Sequence, residues 1–141
     1  MPLLIPILLF LVFTFLSAIH FYWSVGGRWG SQSVFPTKDD SIKPLKPGFI
    51  PTIIVALGLL AMGVFILIQT GLSNLSLPSS IDEYGLWIIA GIFIVRAIGD
   101  FNYVGFFKKV RHTKFGKNDS KYYSPLCLAI GILTIIMVLT K

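Results

Sequence analysis

Two ionisable residues, Arg96 and Asp100, stand inside the membrane-length apolar segment Tyr84–Phe107. A charge at the centre of a bilayer-spanning helix costs about 2.5–3.5 kcal/mol on insertion scales, so it persists where it has a partner or a task. Helical residues three, four and seven apart share a face. Arg96, Asp100, Tyr103 and Phe107 therefore read as one stripe, with Gly99 beside it. An ion pair at this spacing adds only about 0.2–0.5 kcal/mol to a helix, and a base preceding an acid is the less favourable order. Local helix stability does not account for the pair.

The first apolar segment offers a matching polar face in Ser17, His20 and Ser24, with Trp23 adjacent. Counting back from the basic end of each segment at 1.5 Å per residue puts His20 about 6 Å deep, Asp100 about 12 Å and Arg96 about 18 Å. These residues define an expected inward-facing polar pocket between the first and third segments. Its ligand-binding candidates are His20, Trp23, Arg28, Arg96, Asp100 and Tyr103. Arg96 would hold a lipid-like or anionic small molecule, and Asp100 would orient it or exchange a proton with His20. The glycine-rich turn Gly26-Gly27-Arg28-Trp29-Gly30 would close over the mouth. The competing reading is an interhelical polar lock, with His20 donating to a backbone carbonyl and doing nothing more.

Whether the chain is an enzyme stays open. In an enzyme, His20 or Asp100 would be the acid/base and Arg96 the electrostatic stabiliser, but no nucleophile motif accompanies them. The glycines of the first loop lack Walker or dinucleotide spacing. With His20 and His112 far apart and Cys127 the single cysteine, neither a metal site nor a cofactor is expected.

The elements that must position these residues follow from composition. In 141 residues, 55% are hydrophobic and 13% charged, and the mean hydropathy is +0.81. Soluble domains carry about 25% charged residues, which this chain does not approach. The fold class expected is an all-α integral membrane four-helix bundle in one domain, 1–141, with spans at 3–24, 50–70, 84–107 and 123–139. Asn118, Asp119 or Ser120 would cap the last span, and Pro125 suits its first turn. The first 27 residues contain no Lys or Arg, so the first apolar run reads as a retained span rather than a signal peptide.

The net charge of +6 is explained by position rather than by nucleic acid, which is not an expected partner. Loop 25–49 carries Arg28, Lys38, Lys43 and Lys46, and loop 108–122 carries Lys108, Lys109, Arg111, Lys114, Lys117 and Lys121. Loop 71–83 carries only Asp82 and Glu83. The positive-inside rule then expects a multi-pass cell-membrane protein with loops 25–49 and 108–122 cytoplasmic, and both termini and loop 71–83 outside. The third loop would also attract membrane lipids with anionic headgroups.

The stretches Ala18-Ile19-His20-Phe21-Tyr22-Trp23, Gly26 to Gly30, Arg96-Ala97-Ile98-Gly99-Asp100-Phe101, Phe106-Phe107-Lys108-Lys109 and Tyr123-Ser124-Pro125-Leu126 resemble a bacterial family of small four-span membrane proteins, domain of unknown function 3995. The resemblance implies a one-domain inner-membrane protein and transfers no catalytic residue. Two further function classes stand beside the binding reading. One is a non-catalytic accessory or assembly protein; the other is a proton-coupled transporter acting as a homo-oligomer, since four spans alone rarely line a pathway.

Overall fold

A computed structural model describes residues 3–27, 48–99 and 105–141. Its regular elements are all helical among the described residues: α1 (Leu4–Ser24), α2 (Phe49–Ile68), α3 (Ser79–Ile98), a short α4 (Lys114–Asn118) and α5 (Ser124–Thr140). A single wide turn, Asp119–Tyr123, joins α4 to α5 without a break. The expected all-helical architecture with four long helices is the one observed. Leu4–Ser24, Phe49–Ile68 and Phe115–Thr140 are long and apolar enough to cross a membrane. In α3, Asp82, Glu83 and Arg96 stand near both ends, whereas the charges of Phe115–Thr140 all lie before its last 18 residues.

The long helices alternate in direction. Ser17 Oγ on α1 donates to the Ala56 carbonyl of α2 at 2.7 Å, and Gln69 at the end of α2 donates to Asp82 at the start of α3 at 2.9 Å. Lys141 at the end of α5 reaches the Asp82 carbonyl at 3.0 Å. The segments that follow α1 and α3 therefore leave the bundle at the same end. α1 packs chiefly along α2, and α3 chiefly along α5. The two pairs meet in a core of Leu9, Phe13, Ile66, Leu86, Ile89, Phe93, Ile130 and Met137. Phe13 and Phe93 join α1 to α3 edge to face, with ring centroids 5.4 Å apart. In lipid such contacts act through close packing rather than through expulsion of water. Gly131 shows how close that packing is, since a Cβ there would lie 2.6 Å from Cδ1 of Ile94 on α3.

Three expected boundaries are corrected. The third span was expected at 84–107, but α3 starts at Ser79, behind Pro78, and stops at Ile98. Gly99 has φ 89° and ψ −168°, a conformation open essentially to glycine alone, and it ends the helix. Phe106 N–H donates to the Ala97 carbonyl at 2.8 Å, which sets the described residues from Gly105 onward against the last turn of α3. Arg96 and Phe107 consequently do not share a helical stripe, and Arg96 sits in the last turn of α3 rather than deep in a span. The third correction concerns the cap before the last span. The N-cap is Thr113, whose Oγ accepts from Gly116 N–H at 2.9 Å, while Asp119 lies inside the continuous helix. Ser124 N–H bonds to the Asp119 carbonyl, five residues back, just ahead of Pro125. Proline has no N–H and crowds the carbonyl four residues before it, which the widened turn accommodates.

Candidate functional site

Reversal of the chain after α3 brings the start of the last helix against the end of α3, and Asp119 is the centre of the contact. Its side chain is fully buried. Oδ1 accepts from Arg96 Nη2 at 2.9 Å. Oδ2 accepts from Gly105 N–H at 2.7 Å, from Ser124 Oγ at 3.1 Å, and lies 3.1 Å from Lys108 Nζ. All four partners are donors, which suits an ionised carboxylate that only accepts. The wide turn is what presents Asp119 and Ser124 together, since an ordinary helical turn would offset them differently.

Lys108 is also fully buried, and its ammonium has three acceptors: Asp119 Oδ2, the Gly105 carbonyl at 3.0 Å and Ser120 Oγ. Three acceptors use the three protons of a charged ammonium. Gly105 is required here: it has φ 90°, and a Cβ on it would run into the Ile98 carbonyl. Arg111 closes the loop by donating Nε to the Lys108 carbonyl at 3.0 Å and Nη2 to the Phe106 carbonyl at 2.7 Å.

Among the described residues, two cations around one carboxylate leave the cluster with a net charge of +1. The unbalanced positive charge has a location. Arg96 Nη1 is buried and has no hydrogen-bond partner among the described residues, although the side chain as a whole is 32% exposed. A guanidinium edge left unpaired in a poorly hydrated site calls for an acceptor.

The residues expected to form the pocket fall in different places. His20 donates Nδ1 to the Leu16 carbonyl at 2.7 Å, one turn back on its own helix, and stacks edge to face on Trp23 at 5.1 Å. Ser24 donates to the Phe21 carbonyl and Ser17 to the Ala56 carbonyl of α2. Arg28, Asp100 and Tyr103 lie outside the described residues. Of the three described candidates, Arg96 is the one in the charge cluster, where its described partner is Asp119.

Asp119, Lys108, Gly105 and Ser124 were not among the sequence candidates. One signal for Asp119 was available: it is the lone acid in 108–122, among six basic residues. Lys108 carried no comparable mark, because a lysine at the head of a basic loop reads as a topology determinant.

No curated protein and no solved structure matches the chain. A family of proteins described as of unknown function, DUF3995, matches residues 13–134, and the chain belongs to it.

Proposed function

We propose that this protein is a four-span cell-membrane protein, with its basic end cytoplasmic, that holds the anionic group of a lipid-like or small molecule against the free edge of Arg96. α3 serves as the fourth span in this reading. Its charges are confined to its first five and last three residues, leaving an apolar middle. Twenty residues at 1.5 Å each give about 30 Å, the thickness of a hydrocarbon core. The orientation is supported by ten basic residues in the two loops at one end, against Lys141 at the other.

The observation that carries the binding reading is the unpartnered Nη1 of Arg96 in a cluster of net charge +1. Asp119 holds Nη2 and so fixes the guanidinium, whose side chain stays 32% exposed to an approaching anion. The assembly reading draws on a different observation: Asp119 ties α3, the loop after it and the last helix together through four donors, as a structural lock would.

Binding of decyl phosphate to the purified protein in phosphatidylcholine nanodiscs separates the two. Saturable binding that weakens about tenfold or more in Arg96→Gln is expected, the value of one charge-assisted hydrogen bond. Equal binding by wild type and Arg96→Gln, in folded protein, would leave the lock as the role of the cluster.

A further inference from the structure

Resting on that reading, we infer that the occupant is an anionic diacyl phospholipid of the surrounding bilayer, with its phosphate at the part-exposed Arg96 side chain and an acyl chain along the Ile88–Ile92 ridge of α3. Depth is the first argument. Gly99 ends α3 two residues beyond Arg96, so the guanidinium arises about 3 Å from the end of the helix, at headgroup level rather than mid-bilayer.

The neighbours of Arg96 on α3 are the second argument. Ile88, Ile92 and Arg96 follow one another at intervals of four, the spacing of a ridge along one helix face. Ile88 is 60% exposed and Ile92 45% exposed, while Ile89, Phe93 and Ala97 on the adjoining face are buried. Arg96 thus stands on the border between the packed core and a lipid-facing strip of side chains. A molecule that meets the guanidinium from this strip arrives through the bilayer. A soluble anion has no apolar part with which to use Ile88 and Ile92.

Charge complementarity is the third. The described cluster carries one unbalanced positive charge, and Lys109, Arg111, Lys117 and Lys121 are exposed on the loop and helix start that supply its other members. A zwitterionic headgroup would bring its own cation into this field, whereas an anionic one brings none. Phe107 and Tyr122, both exposed, add the aromatic groups that suit an interfacial position.

The test uses the full chain in nanodiscs of mixed phosphatidylglycerol and phosphatidylcholine, released into gas phase for native mass spectrometry, with lipids counted per protein. Wild type is expected to retain phosphatidylglycerol over phosphatidylcholine by about tenfold, and both Arg96→Gln and Ile92→Trp to lose that preference. Ile92→Trp leaves the charge cluster untouched, so the result does not depend on how well Arg96→Gln folds. Phosphatidylglycerol retained equally by Ile92→Trp would overturn the placement. Arg96-dependent binding of inorganic phosphate without lipid preference would overturn the phospholipid while leaving an anion site at Arg96. Arg96-independent behaviour towards phosphate, decyl phosphate and phosphatidylglycerol alike would overturn both readings.

Discussion

Asp119→Asn removes the negative charge from between Arg96 and Lys108 while preserving side-chain volume. Deleting one partner of a buried ion pair costs about 3–5 kcal/mol, because the remaining charge is stranded. Here two cations lose their partner, but unequally. Arg96 is 32% exposed and can regain solvent or headgroup contacts, which confines its share to the exposed-pair range of about 0.2–1 kcal/mol. Lys108 is fully buried and has no such recourse, so most of the loss belongs to it. The new amide must also turn its own N–H groups toward donors, either Arg96 Nη2 at the Oδ1 position or Gly105 N–H and Lys108 Nζ at the Oδ2 position.

The expected destabilisation of Asp119→Asn is therefore about 3–5 kcal/mol, read from unfolding in mixed detergent and dodecyl sulfate micelles followed by circular dichroism. Opening of the cap is read separately, by trypsin cleavage after Lys109, Arg111, Lys117 and Lys121. Adding Lys108→Met removes the stranded ammonium. The double variant should be the more stable of the two, with a coupling of about 0.5–3 kcal/mol. A single variant within about 0.5 kcal/mol of wild type, the range of an ordinary surface substitution, would refute the assignment of Asp119 as the centre of this end of the bundle.

Gly105→Ala places a side chain at φ 90°, and its Cβ meets the Ile98 carbonyl; trypsin should cut the cap faster with helix content unchanged. Gly26→Ala is the control, since φ there is 97° with nothing within 4 Å, leaving only the backbone cost of about 1–2 kcal/mol. Ser17→Ala breaks the bond to the Ala56 carbonyl and should cost about 0.6 kcal/mol, the average of hydrogen bonds between membrane helices, in the same unfolding titration. In a Cys127→Ser background, Lys117→Cys should react with an impermeant thiol reagent in inverted vesicles only, and Ser76→Cys in intact cells only. The opposite pattern would reverse the proposed orientation.

Sequence reading located the long helices well because apolar length is a local property. α1 at Leu4–Ser24, α2 at Phe49–Ile68 and α5 at Ser124–Thr140 lie close to the spans expected at 3–24, 50–70 and 123–139. The end of α3 was not legible in the same way. Gly58 and Gly91 lie within α2 and α3 without ending them, and nothing local to Gly99 marks it as different. Its φ of 89° is set by the return of Gly105 and Phe106 against Ile98 and Ala97, which is a tertiary contact.

Arg96 was recognisable as a charge in need of a partner, because the cost of an unpaired cation near lipid depends only on composition and position along an apolar run. Spacing put Asp100 on the same stripe, four residues away, and Asp100 lies outside the described residues. The structure sets Asp119, 23 residues away, against Arg96, with the wide turn before Pro125 bringing the carboxylate inward. The contrast between Lys108, fully buried, and Lys109, exposed, has the same origin. Hydropathy and charge counts belong to segments and can be read along the chain, whereas which cation meets which carboxylate depends on how separate segments close on one another.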